Sequence, residues 1–89
     1  MALALRDGVA AADTDYGVTL LDEHSGQYWT LNPTAGLVLR TLLDGGTAAQ
    51  AAQELTEQYE VDAATAGQDV EALVGELRAA GLVRERPAP

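Results

Sequence analysis

The residues with chemistry to offer are few. His24 is the only histidine of the 89-residue chain, and it stands in Asp22-Glu23-His24-Ser25, beside two carboxylates and a hydroxyl. Imidazole, carboxylate and hydroxyl are the parts of an acid–base or nucleophilic site. Such a site needs a cleft and an oriented partner, not adjacency in sequence. In an extended segment, neighbouring side chains also point to opposite faces. Four polar residues followed by Gly26 read instead as a solvated hairpin turn. The other carboxylates, among them Glu54, Glu57, Glu60, Asp69, Glu71 and Glu76, are spread along helical stretches as solvated faces. There is no Cys for thiolate, disulfide or metal chemistry. No Gly-rich phosphate loop and no HExxH motif occurs. The expectation is a non-catalytic protein with no cofactor and no metal.

Charge narrows the partners. Fourteen acidic residues face five basic ones, all Arg, for a formal charge of -9. Nucleic-acid binders need a positive surface to displace counterions from phosphates, so no nucleic acid is expected, and anionic lipid is repelled likewise. The opening MALALRDG is interrupted too early by Arg6 and Asp7 for a signal peptide. No apolar run approaches a membrane span. The expected location is the cytoplasm, with no membrane partner, as a monomer.

The elements follow from local patterns. Gly8 to Leu31 reads as three strands: a weak one in GVAAA, a turn in DTDYG, a better one in Val18–Glu23, and its hairpin return in Gln27–Leu31. Two registers fit the hairpin. A two-residue loop at His24-Ser25 opposes Leu20 to Trp29, and a type I turn with a Gly26 bulge opposes Leu21 to Trp29. The bulge is favoured, because Gly stands where it requires. Alternation points Trp29 and Leu31 inward. Asn32 then caps a first helix, with Pro33 at its first position and Ala35, Val38, Leu39, Leu42 and Leu43 along one face. Thr47 and Gln50 form a capping box for a second helix with Ala48, Ala52, Leu55 and Tyr59 on one face. Asp62 caps a third, striped by Ala66, Val70, Leu73, Val74 and Leu77 and ended by Gly81. Gly67 and Gly75 weaken that helix. LVRER reads as a short strand. The fold class is α+β, winged-helix-like: a three-stranded antiparallel sheet followed by three helices. Residues 1–7 read as an N-terminal tail, 8–84 as the domain and 85–89 as a C-terminal tail.

The last two helices form a helix-turn-helix pair, yet the third carries Asp69, Glu71 and Glu76 where a DNA reader needs cations. The last strand of the hairpin is more informative. It lies at a sheet edge without the Lys, Pro or charge that usually protects one. A backbone left open in this way is what strand addition by a peptide requires.

LLDEHSGQYWTLNPTAGLVLRTLLDGGT, followed by two more helices and LRAAGLV, resembles the PqqD-like peptide-recognition domains, the recognition elements of ribosomally made and post-translationally modified peptides. Small acidic standalone members are most similar to the leader-binding proteins of lasso-peptide pathways. The resemblance runs from about Gly8 to Arg84. It implies binding of a precursor's leader peptide as an added strand, in a groove between the third strand and the third helix. It implies delivery of that leader to a separate leader peptidase, a transglutaminase-like cysteine protease. By position the strand would contribute Gln27, Tyr28, Trp29, Thr30 and Leu31, and the helix Asp69, Val70, Leu73, Val74 and Leu77. Binding would then be mostly apolar and weakly salt-dependent. The alternatives are a recognition domain of the same fold in another modified-peptide pathway or serving a radical enzyme, a degenerate winged-helix regulator, and a small enzyme using His24.

Overall fold

The computed structural model describes residues 2–86. Its elements run β1 (Ala2–Leu5), β2 (Val9–Thr14), β3 (Gly17–Asp22), β4 (Tyr28–Leu31), α1 (Pro33–Leu43), α2 (Ala48–Gln58), α3 (Ala63–Ala79) and β5 (Val83–Arg86). An antiparallel sheet of order β2-β3-β4 packs against the helices, as the α+β reading expects. The segment expected to be an N-terminal tail is instead a strand. β1 pairs antiparallel with β5, and Leu3 is fully buried. Strand pairing also carries β5 through Glu85 and Arg86, residues expected in the C-terminal tail; the rest of that tail lies outside the described residues.

The helices start where the sequence provides caps. The Asn32 side chain accepts from the Ala35 N–H at 2.9 Å, and Pro33 follows without an N–H to leave unpaired. Thr47 accepts from the Gln50 N–H, and Gln50 Oε1 accepts from the Thr47 N–H, which closes the capping box. Asp62 accepts from the Thr65 N–H at 2.8 Å. At the other end of α3, Gly81 takes φ +75°, and the Leu82 N–H reaches back to the Leu77 carbonyl. This is a helix stop that satisfies the last carbonyls. α3 runs unbroken through Gly67 and Gly75, whose cost of about 1 kcal/mol each is met by packing of its Ala66–Val70–Val74–Leu77 stripe. Tyr59, expected on the buried face of α2, is that helix's C-cap and is 37% exposed.

The core joins both sheets to the helices. Val18, Leu20 and Leu31 come from the large sheet, Leu3, Leu82 and Val83 from the small one and its approach, and Val38, Leu39, Leu42, Leu55, Val70 and Leu77 from the helices. No charged or polar side chain is buried among the described residues. Small domains bury proportionally little surface, so each large aliphatic residue counts. Leu3→Ala is therefore expected to destabilise the protein by about 2–5 kcal/mol, read as a lower urea midpoint with an unchanged slope. A second outcome concerns acid. Hydrogen bonding, chiefly from the Thr65 backbone N–H, holds the Asp62 carboxyl below its ordinary 3.8. A depressed folded-state pKa means stability that is whole above the unfolded value and lost as pH falls through the folded one. Asp62→Asn, which can still cap but carries no charge, is expected to flatten the loss of thermal stability below about pH 4.

Candidate functional site

The hairpin between β3 and β4 contains the one histidine. Its loop is Glu23–Gly26, four residues long. The Gly26 N–H bonds the Asp22 carbonyl at 2.8 Å, and the Asp22 N–H bonds the Gln27 carbonyl at 2.9 Å. Gly26 takes φ +76°, as a turn glycine should. The loop absorbs it without a bulge, so the favoured register is corrected: Leu20 stands opposite Trp29 and Leu21 opposite Tyr28. The Asp22 side chain accepts from the His24 N–H at 3.0 Å. That bond is the main reason its carboxyl lies below the ordinary value. His24 itself is exposed, with its ring laid over Gly8; a Cβ there would meet it at 2.3 Å. These groups stabilise a turn.

The register fixes which backbone groups of β4 are free. Antiparallel partners alternate between pairs that exchange hydrogen bonds and pairs that do not. Asp22 and Gln27 bond, so by the same alternation Leu20–Trp29 and Val18–Leu31 bond too. Tyr28 and Thr30 therefore turn their N–H and C=O groups away from β3. β4 is an edge of its sheet, so these are the groups an added strand would meet. Side chains divide in the same rhythm. Trp29 packs against the core and Leu31 is buried, whereas Tyr28 (70% exposed) and Thr30 face solvent. With Leu21, Thr19, Ala10 and Ala12 they form an outer sheet face without a charged residue.

Two depressions flank this edge. A shallow one of about 430 Å³ is lined by Gly26, Gln27, Tyr28 and Trp29. A deeper one of about 310 Å³ begins at Asn32, where β4 ends, and runs between the first turns of α1 and the outer face of α3. Thr34, Ala35 and Val38 form one wall, Asp69, Ala72, Leu73 and Glu76 the other, and Leu55 closes it. Of the five strand residues named from sequence, Tyr28 and Thr30 face the free edge of β4, Gln27 lies just before the strand, and Trp29 and Leu31 turn their side chains to the core; Asp69 and Leu73 lie in the groove. Val70, Val74 and Leu77 do not. They are at most 6% exposed and belong to the core, shaping the groove from beneath. The groove also borders α1 rather than the strand itself. Sequence reasoning missed Ala72 and Glu76, although 69, 72, 73 and 76 share the i, i+3, i+4, i+7 spacing of a single helix face.

Comparison with known proteins places this geometry. Residues 17–83 match the family described as PqqD, coenzyme PQQ synthesis protein D. The solved structure "Lasso peptide synthetase B1 complexed with the leader peptide" is 45% identical, covers 96% of this chain and 100% of its own, and superposes with a TM-score of 0.89. "TbiB1 in Complex with the TbiA(beta) Leader Peptide" is 23% identical, covers 99% of this chain and 100% of its own, and has a TM-score of 0.82, a likeness of fold. No curated protein sequence matches the chain.

The edge geometry has a direct readout in the unliganded protein. Backbone amides without a partner exchange freely, and those in the ladder are protected. The Tyr28 and Thr30 amides are expected to exchange with solvent deuterium far faster than those of Trp29 and Leu31. Equal protection along β4 would mean that its outer edge is covered.

Proposed function

The chain belongs to the PqqD family, and from that premise we propose that it is a non-catalytic recognition protein that binds the leader peptide of a lasso-peptide precursor and presents it to a separate leader peptidase. The observation that carries this reading is the free edge of β4 beside the α1–α3 groove, in a chain similar from end to end to a protein solved with a leader peptide. The leader adds as a fourth strand against Tyr28 and Thr30, then continues past Asn32 into the groove beside Leu73 and Asp69. Backbone pairing supplies affinity with little regard to sequence, and the groove selects side chains.

Presentation to a transglutaminase-like peptidase is what the family resemblance implies, and a face would be left free for it by the bound leader. Its alternate side chains extend the uncharged outer face of Ala10, Ala12, Thr19, Leu21, Tyr28 and Thr30. A second protein can meet that face while the groove remains occupied. No helix among the described residues is long and apolar enough to cross a membrane, and the proposal places the handover in the cytoplasm.

The test is titration of a fluorescently labelled synthetic leader, taken from the precursor encoded beside this gene. Micromolar or tighter binding is expected, together with new protection of the Tyr28 and Thr30 amides. Thr30→Pro removes one outward N–H at an edge position that tolerates proline. It is expected to weaken binding roughly tenfold with the circular dichroism spectrum unchanged. A folded Thr30→Pro protein that binds as well as the parent would rule out strand addition at β4.

A further inference from the structure

The groove between α1 and α3 combines depth with charge, which the β4 edge lacks. Ala35, Ala72 and Leu73 give it apolar walls over the buried Val38 and Leu55, and Asp69 and Glu76 stand on its rim. The two acidic residues are seven apart on one helix, two turns or about 10 Å along its axis, with Leu73 between them. No basic residue lines the groove. The ion pairs of the described residues, Arg40–Asp13 and Arg78–Glu85, involve neither carboxylate. Arg84 and Arg86 lie on β5, the strand that pairs with β1.

Apolar walls alone accept many side chains. Two unpaired carboxylates beside a low-dielectric wall add a second criterion. Their field is less screened there than in open water. A ligand that covers them without supplying a cation leaves them desolvated and unpaired. A long basic side chain suits both features, since its methylenes lie on apolar surface while its head reaches a carboxylate. We propose that this groove takes a leader segment in which an apolar side chain seated on Ala35, Ala72 and Leu73 is neighboured by a lysine or arginine held by Asp69, Glu76 or both. The inference rests on the leader-binding reading above, and it gives that binding a salt dependence that an apolar contact alone would lack.

A four-way comparison tests it. The labelled leader and a version with every Lys and Arg changed to Gln are each titrated against the parent protein and an Asp69→Asn/Glu76→Gln variant, in low and high salt. Both positions are exposed, so the variant is expected to fold, as checked by circular dichroism. In low salt, neutralising either side should weaken binding roughly three- to tenfold. Neutralising both should cost little more than neutralising one, the mark of a direct pair, and high salt should shrink the differences. A leader bound equally by parent and variant overturns this inference and leaves the leader reading standing. Losses that simply add overturn it too. A leader bound by neither protein overturns both. Self-association of the free protein by sedimentation, abolished by salt and by the double variant, would assign the groove to arginines of a second copy and overturn the proposal.

Discussion

The structure turns on one close approach. Gly17, at the start of β3, faces the point where β4 gives way to α1, and a Cβ on it would fall 1.9 Å from the carbonyl oxygen of Leu31. Its φ of +139° is also one that side chains rarely adopt. A second contact continues the first. A Cβ on Gly36 would stand 2.9 Å from Cγ2 of Val18, so α1 lies flush on the sheet. With these two glycines in place, Leu31 can be buried and Asn32 can cap immediately after it. β4 therefore ends after four residues, and the first turns of α1 stand where they form one wall of the groove.

This corner separates two kinds of recognition. The β4 edge offers amides and carbonyls, which are the same in every peptide. The groove offers shape and charge, which are not. A strand two or three residues longer would blur this division by extending generic pairing along the whole ligand. Open edges invite unwanted partners, and the brevity of β4 limits that exposure as well. The outer face of the sheet, uncharged in a chain of formal charge -9, is a third surface on the opposite side of the same strand.

The parts legible in sequence are those set by local chemistry. Asn32-Pro33, Thr47 with Gln50, and Asp62 each make the cap that their residue types imply. The edge position of β4 follows from chain order. Register was less accessible, because a positive φ at Gly26 suits both a bulge and a four-residue loop. β1 was missed for a different reason. Ala-Leu-Ala-Leu is an adequate strand only beside Val83–Arg86, nearly the whole chain away, and no local signal announces that pairing. In α3 the apolar stripe was correct, but a stripe does not say where core ends and groove begins. Val70, Val74 and Leu77 fell on the core side, and Leu73 on the boundary. Small Ala72 and charged Glu76 join the groove only because α1 packs opposite them.

The pairing of β1 with β5 carries a consequence for architecture. Ala2 is the partner of Arg86, so both ends of the described chain sit side by side, about one strand spacing apart. A neighbour covalently tethered at either end would start from nearly the same point in space. Swapping the order of two fused modules would thus change the linker and leave their arrangement almost intact, and joining the ends while opening the exposed Glu23–Gly26 loop would alter the connectivity of the fold and leave its layers in place.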